Sequence, residues 1–299
     1  MFFTVVTTVY NSENYINKAM NSVKQQSFSD YEYLIIDNGS TDSSNELIRT
    51  FINENSHLNI RLICLEKNKG ISGGRNTGIE QAKGDYICFL DADDYWEPEK
   101  LQSVKENIDK HKKYNVFCHW EKHIKGDRKK VIEYRKIDYD NPFYDLISNG
   151  NCLSTSAMAV KRELLQDIGG FDINLIAGEE DYDCWLRLAR IGAKFYMIEK
   201  PLGCWLIRTD SVSSRHVVHT EAVIKMLTPH FAYLSKSIGA SKSKKIQNRI
   251  SAMNYCGCGR TLSVAGDRKN GNQMYIRSIK VYPKYFKAYA GLILNFFRR

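Results

Sequence analysis

The sequence predicts an α/β fold, a mostly parallel sheet flanked by helices, with a helical extension after it. Three observations carry that expectation. Short β-branched or apolar runs alternate with helical stretches through the N-terminal third. The loops between them are short and rich in Gly, Asn, Asp and Ser. Beyond residue 214 only helical patterns remain. With 299 residues, 43% hydrophobic and 26% charged, the chain has ordinary globular composition. That length suits one large domain, or a domain of about 200 residues with an appendage.

Phe2 to Val9 reads as the first strand, because its apolar stretch is short and β-branched. No basic segment precedes it, so it is not read as a signal peptide. Glu13 to Gln26 has helical apolar spacing at Tyr15, Ile16, Ala19, Met20 and Val23. Tyr31 to Ile36 is the second strand, ending in Asp37-Asn38-Gly39-Ser40-Thr41-Asp42, which supplies an N-cap for a helix through Ile52. Ile60 to Leu65 is the third strand, Gly70 to Asn76 opens a helix to Ala82, and Asp85 to Leu90 is the fourth strand. A helix over Glu97–Lys112 and a strand over Val116–Trp120 follow. Residues 121–141 are charged and read as irregular, Ser156 to Val160 as a short strand, and Gly169-Gly170-Phe171-Asp172 as a turn. Glu179 to Ile191 reads as a helix whose apolar residues, Trp185 among them, leave Glu180, Asp181 and Arg187 on other faces. After a boundary near 214, helical patterns cover 218–237, 242–265, 270–280 and 284–297.

The formal charge of +9 is unevenly spread. Residues 215–299 hold sixteen Lys or Arg against Glu221 and Asp267, leaving an acidic-to-neutral body before them. Such a segment suits anionic lipid or a phosphorylated acceptor, or is simply a solvated basic surface. No zinc, RNP or helix-turn-helix signature accompanies it, so nucleic acid is not the expected partner. The eight cysteines are scattered, several in apolar runs, as expected of small buried hydrophobes in a reducing compartment. The apolar run from Tyr289 to Phe297 is about half a membrane span.

The chemistry concentrates in Phe89-Leu90-Asp91-Ala92-Asp93-Asp94-Tyr95-Trp96. Ligands of open α/β sheets bind at the carboxyl ends of strands, so these acids stand at the mouth of a site or form an acidic turn capping the next helix. Carboxylates in that place suit a hard divalent cation that also holds substrate phosphates. On an extended segment, Asp91 and Asp93 share one side; Asp94 is either a third metal ligand or a helix cap, and the cap is the favoured reading. Four strand ends carry polar or glycine-rich loops. Together they offer an aromatic and an acid early, a Gly-Arg-Asn segment, the acidic cluster and a later acid pair at a helix start.

The ordered set resembles glycosyltransferase family 2, the inverting enzymes of the GT-A fold. It is carried by Val9-Tyr10-Asn11, Asp37 to Asp42, Asn68-Lys69-Gly70 with Gly74-Arg75-Asn76, Gly84 to Ile87, Phe89 to Trp96, Gly169 to Asp172, and Gly178 to Leu188. These segments cover about the first 210 residues. The resemblance implies a catalytic domain over 1–214, with a nucleotide-sugar half to about 96 and an acceptor half after it, followed by a basic helical region over 215–299. It implies transfer of a sugar from a UDP-sugar to a saccharide acceptor linked to a lipid diphosphate, in surface polysaccharide assembly, with Mn²⁺ or Mg²⁺. Thr8, Tyr10, Asp37, Arg75 and Asp91 would bind the nucleotide, Tyr10 stacking on uracil and Asp37 accepting its N3 hydrogen. Strand-end packing for Tyr10, helix capping for Asp37 and a surface position for Arg75 are the alternatives. Asp93 would bind the metal. Asp181 would be the general base, with Glu180 its neighbouring competitor. Trp185 would be a wall for the acceptor sugar, or core.

Where many members of the family place a histidine, the segment Trp205 to Ser213 has Arg208. A guanidinium does not ligate metal, but it pairs with phosphate oxygens, so Arg208 is expected to stabilise the leaving diphosphate. The expected location is cytoplasmic, with the basic region peripheral on the inner face of the membrane. Tyr285, Phe286, Tyr289, Leu292, Ile293, Phe296 and Phe297 have helical spacing and lie either in that interface or against the catalytic domain. Two rivals differ in what they bind: a nucleotidyltransferase would need a glycine-rich N-terminal phosphate loop, which Thr7-Thr8-Val9-Tyr10 does not supply. A noncatalytic glycan- or lipid-binding protein would tolerate loss of Asp181.

Overall fold

The computed structural model describes residues 1–207 and 215–297. The chain divides into two units. The first comprises Met1–Pro142, Cys152–Ile176 and the stretch from Glu180 to the end of the last strand; the second comprises Phe143–Asn151, Ala177–Glu179 and the helices after residue 214.

The first unit opens with β1 (Phe3–Val9), α1 (Ile16–Lys24), β2 (Tyr31–Asp37), α2 (Ser44–Glu54), β3 (Ile60–Cys64), α3 (Gly70–Gln81) and β4 (Tyr86–Phe89). These agree with the expected elements to within a few residues at each end. β1 pairs in parallel with β2 and β4, and β2 with β3, giving the order β3-β2-β1-β4. Because all four strands run the same way, Tyr10, Asp37 and Asp91 follow or end strands at one edge of the sheet. Both faces are buried: on one, Val5, Val9, Ile35 and Cys88 pack with Ile16, Met20 and Ile48 of the flanking helices, and on the other Val6, Leu34, Ile36 and Phe89 are buried as well.

Beyond β4 the sheet becomes mixed. β5 (Tyr95–Trp96), α4 (Lys100–Lys110), β6 (Val116–Lys125), β7 (Arg128–Ile132), the 3₁₀ turn Thr155–Ala157, β8 (Ala159–Lys161), α6 (Arg162–Asp167), α7 (Glu180–Arg190) and β9 (Phe195–Leu206) complete the unit, and α5 (Pro142–Asn149) falls mostly in the second. The order continues β8-β6-β9-β5, with β7 paired to β6.

Three expectations are corrected here. Residues 121–132 are not irregular: β6 continues to Lys125 and turns through Gly126-Asp127 into β7, with Lys125 opposite Arg128. Gly126 has a positive φ, as a two-residue hairpin turn with Gly first requires. Second, only the end of the Ser156–Val160 segment is strand. Third, α4 starts at Lys100, after β5, and not at Glu97.

The second unit contains α5, α8 (His216–Ile238), α9 (Ala240–Val264), α10 (Arg268–Val281) and α11 (Phe286–Phe297). Cys256, Tyr275 and Ala288 form a small core, with Ile279, Tyr285 and Leu292 packed on it. Asp267 caps α10 by accepting from Asn270 N. Among the described residues no helix is long and apolar enough to cross a membrane.

Gly84 shows how tightly β4 enters the sheet. A Cβ there would lie 2.4 Å from the Phe3 carbonyl carbon and 2.5 Å from Thr4 N, both backbone atoms that cannot rotate away. Gly84→Ala is therefore expected to cost about 3 kcal/mol, read as a lower urea midpoint at unchanged m value.

Candidate active site

The carboxyl end of β4 turns at once. Asp94 N donates to Asp91 O at 3.0 Å, so Asp91 to Asp94 form a turn and not the extended segment expected from the sequence. The period-2 argument for Asp91 and Asp93 therefore fails, although both remain partly exposed. Asp94 is buried and caps no helix. Its carboxylate accepts from Ser156 Oγ at 2.6 Å and from Leu206 N at 3.0 Å. Burial, then Asp93, Glu121 and Asp91, push Asp94 well above the usual carboxylate range, against the Ser156 hydroxyl. Ser156 Oγ also accepts from Asp91 N at 3.1 Å. Asp94 and Ser156 thus tie the acidic turn to the end of β9.

Arg75 is the buried cation facing this turn. It is 3% exposed, which removes the surface alternative. Nη2 donates to Asp91 Oδ1 at 2.8 Å and Nη1 to Glu180 Oε1 at 2.9 Å. The guanidinium also lies 5.2 Å from the Phe171 ring centroid. Burial works against its charge, but Asp91, Glu180 and Asp181 outweigh burial and raise its pKa further. Neighbouring Asn76 holds the Gly170–Phe171 backbone: its Nδ2 donates to Phe171 O and its Oδ1 accepts from Phe171 N, both at 2.8 Å. Gly170 has φ +72°, and a Cβ there would lie 2.4 Å from Asn76 Oδ1. The Gly-Arg-Asn and Gly-Gly-Phe-Asp segments are thereby joined.

The start of α7 supplies the acid pair. Glu180 turns inward to Arg75, contrary to the outward face expected, and its Oε2 is buried without a hydrogen-bond partner among the described residues. Asp181 remains partly exposed, within 3.5 Å of the Thr155 hydroxyl and accepting from Tyr182 N. Burial and then Glu180 raise its pKa, offset by Arg75 and the Tyr182 amide, to about 7. Asp181 therefore combines access to solvent with a proton affinity matched to neutral pH. Trp185 is fully buried, edge-on to Phe171 at 6.0 Å, and forms no wall for a saccharide.

On the other side of the edge, Tyr10 is 47% exposed, as a stacking surface requires. Asp37 is buried and accepts from Ser40 N at 3.0 Å and Asn45 Nδ2 at 2.5 Å, so it steadies the loop without capping α2. Asn11 Oδ1 accepts from Thr41 N at 2.8 Å, and Asn38 clamps Lys69 N and Gly70 O, linking the loops after β1, β2 and β3. Thr8 Oγ1 is buried with no hydrogen-bond partner among the described residues. Arg208 lies outside the described residues.

Sequence reasoning missed Ser156, which looked like one residue of a strand. It also missed a buried polar layer. Lys100 Nζ sits 3.5 Å from the Trp96 ring centroid, Glu121 accepts from Tyr134 Oη at 2.6 Å, and burial takes His119 down to about 3 and Glu121 up to about 7. Lys100 lay in an expected helix, and its burial has no local signal.

The turn carries hard oxygen donors, and Arg75 already occupies one oxygen of Asp91. No group of three His, Cys, Asp or Glu poised for a metal occurs among the described residues. That donor set fits an ion held by one or two carboxylates with substrate phosphates completing the shell, and it does not fit an all-protein cage.

Residues 4–169 match the profile described as "Glycosyl transferase family 2". The amylovoran biosynthesis glycosyltransferase AmsB of Erwinia amylovora is 31% identical over 207 residues, 67% of this chain and 68% of that protein. For two further curated relatives the match spans only 54% and 63% of their length. The crystal structure of Staphylococcus aureus TarS 1-349 in complex with UDP-GlcNAc has a TM-score of 0.70 at 21% identity, covering 99% of this chain and 89% of that one. The mannosyltransferase PcManGT of Pyrobaculum calidifontis, in complex with GDP-Man and Mn²⁺, has a TM-score of 0.62 at 17% identity, covering 99% and 87%. These structural likenesses establish the GT-A fold.

Removing Arg75 alone leaves Glu180 buried without its cation, which costs about 3–5 kcal/mol. Arg75→Met should accordingly lower the thermal midpoint sharply, and Arg75→Met combined with Glu180→Gln should recover a substantial part of the loss. Additive losses in this double-mutant cycle would mean the pair is not coupled.

Proposed function

The chain belongs to glycosyl transferase family 2, and we propose that it moves a sugar from a UDP-sugar to a saccharide hydroxyl with inversion, in polysaccharide biosynthesis. The observation that carries this reading is Asp181, a partly exposed carboxyl raised to about 7 beside the Arg75–Asp91 pair. In a single displacement the acceptor oxygen forms a bond to the anomeric carbon, the bond to the diphosphate oxygen breaks, and the acceptor proton goes to Asp181. The diphosphate leaves with the bonding electron pair. No covalent intermediate on the protein is needed, and inversion converts an α-linked donor to a β-linkage.

Tyr10 would stack on uracil, Asp37 accept its N3 hydrogen, and Thr8 contribute its orphan hydroxyl to the nucleotide. Asp91 would meet the ribose through the oxygen that Arg75 leaves free, so Arg75 acts by fixing Asp91. Asp93, on the partly exposed side of the turn, would hold Mn²⁺ or Mg²⁺. The ion would offset charge developing on the diphosphate. Arg208, which follows Leu206 by two residues in the chain, would pair with the same diphosphate. A UDP donor is supported by the family resemblance and by the bound UDP-GlcNAc of the structurally similar TarS. The acceptor is proposed to be a growing glycan on a lipid diphosphate. AmsB, named for amylovoran biosynthesis, supports the polysaccharide setting.

Calorimetric titration of UDP, with GDP and CDP as controls, tests the donor site. UDP alone should bind, more tightly with Mn²⁺, and Asp93→Ala should remove the manganese dependence. Absence of binding by any nucleotide would refute the reading.

Turnover should rise about tenfold per pH unit below about 7 and flatten above it, as Asp181 loses its proton. Asp181→Asn should lower kcat roughly a hundredfold or more with UDP affinity unchanged. Stability runs the other way. The folded pKa lies above the ordinary 3.8, so the contribution of this group is fully present below about 4 and is lost as pH rises through about 7.

A further inference from the structure

The outer face of α11 is inverted relative to an ordinary surface helix. Its inward positions are Ala288, Gly291 and Asn295, spaced three and four apart. They are small or polar. A Cβ at Gly291 would lie 2.3 Å from the Tyr275 ring, and Asn295 Nδ2 donates to Ser263 Oγ and Asn272 Oδ1, both at 2.7 Å. Of the apolar residues singled out in the sequence, Tyr285 and Leu292 pack on the core of the second unit. The large ones of α11 turn to solvent: Phe286 is 76% exposed, Tyr289 39%, Ile293 56%, Leu294 55% and Phe297 77%. At 100° per residue, Phe286, Ala290, Ile293 and Phe297 share the side opposite Gly291 and Asn295, with Leu294 at its margin. A helix that needed only to cover its own core would carry these residues inside and polar ones outside.

The segment that carries this face is basic in sequence. From Arg268 to Arg299 the sequence has eight Lys or Arg and no Asp or Glu. Lys284 and Lys287 are exposed at the start of the helix. Arg277, on α10, is already paired with Glu221 and is not part of the argument.

We propose that α11 is a membrane-surface anchor, lying in the interface of an anionic lipid leaflet with Phe286, Ile293 and Phe297 in the acyl boundary and Lys284 and Lys287 on lipid phosphates. An apolar stripe flanked by cations and free of acids matches such a surface in both of its properties. A protein partner with an apolar groove would match the stripe, but nothing would then call for exposed lysines beside it in a segment without acids. The helix has 12 residues, about 18 Å, and therefore lies along the surface. The inference goes beyond the proposed transfer reaction and does not depend on it.

Flotation of the full chain with vesicles tests it, without substrate, so the outcome is read independently of any activity. The chain should float with vesicles of phosphatidylcholine and phosphatidylglycerol, and much less with phosphatidylcholine alone. Phe286→Ser with Ile293→Ser should weaken binding at least roughly tenfold, since each is a large apolar side chain removed from the interface. Thermal midpoint and UDP binding of that variant should match the parent, because both side chains already face solvent. Lys284→Gln with Lys287→Gln should weaken binding to the anionic vesicles roughly fivefold or more and reduce its salt dependence. No flotation of the parent chain, or equal flotation of the apolar variant, would overturn the proposal. So would a variant that turns a dimer into a monomer while floating as before, which would assign the face to a second copy of the chain.

Discussion

The guanidinium of Arg75 bonds two carboxylates that reach it from different parts of the chain, Asp91 16 residues away and Glu180 105 residues away. A buried cation is tolerated only where such partners replace its lost water. The two bonds therefore fix the separation between the acidic turn after β4 and the first turn of α7. Asp181 inherits its position from that constraint. It follows Glu180 on the same helix, and the field of Glu180 helps keep its proton affinity high, while Arg75 keeps it from rising further. One ion-pair triad thus sets both where the Asp181 carboxyl stands and how strongly it holds its proton.

The rest of the site is a set of side-chain clamps that make loops behave as a rigid surface. Asn38 and Asn11 join the loops after the parallel strands, Asn76 holds the Gly-Gly-Phe-Asp turn, and Asp94 with Ser156 holds the acidic turn to the end of β9. Each clamp satisfies backbone groups that the loops would otherwise leave to water. The parallel half of the sheet supplies the edge that carries Tyr10, Asp37 and Asp91, and the mixed half carries the acid pair and the buried layer of Lys100, His119 and Glu121. Beneath Arg75, Phe89, Phe171 and Trp185 stack edge-on, so the cation rests on aromatic core.

The parallel half was legible because its strands and helices alternate with their own periods and its loops carry turn residues. What failed did so for specific reasons. β9 contains Pro201 and Gly203, which argue against a strand; the structure accommodates Pro201 opposite Trp120, where the pairing with β6 shifts register. The β6–β7 hairpin is too charged to show a strand period, and its conformation comes from pairing. Arg75 read equally well as a surface residue, since the acids that bury it lie elsewhere in the chain. Asp94 was misassigned, and Trp185 stayed open between core and acceptor wall until the structure placed it in the core, because a local pattern gives the type of a side chain and not the direction a turn or helix aims it. Conversely, the apolar spacing of α11 was visible, and only the structure separates Tyr285 and Leu292, which pack, from Phe286 and Ile293, which do not.

The central claim is that the Arg75 triad poises Asp181 for proton transfer near neutrality. Carboxyl ¹³C chemical-shift titration of the folded full chain, with Asp181 assigned by its Asn variant, measures this directly. The account predicts a midpoint at about 7 for Asp181, moving higher when Arg75 is replaced by Met. A midpoint at the ordinary 3.8, or one indifferent to Arg75, would contradict it.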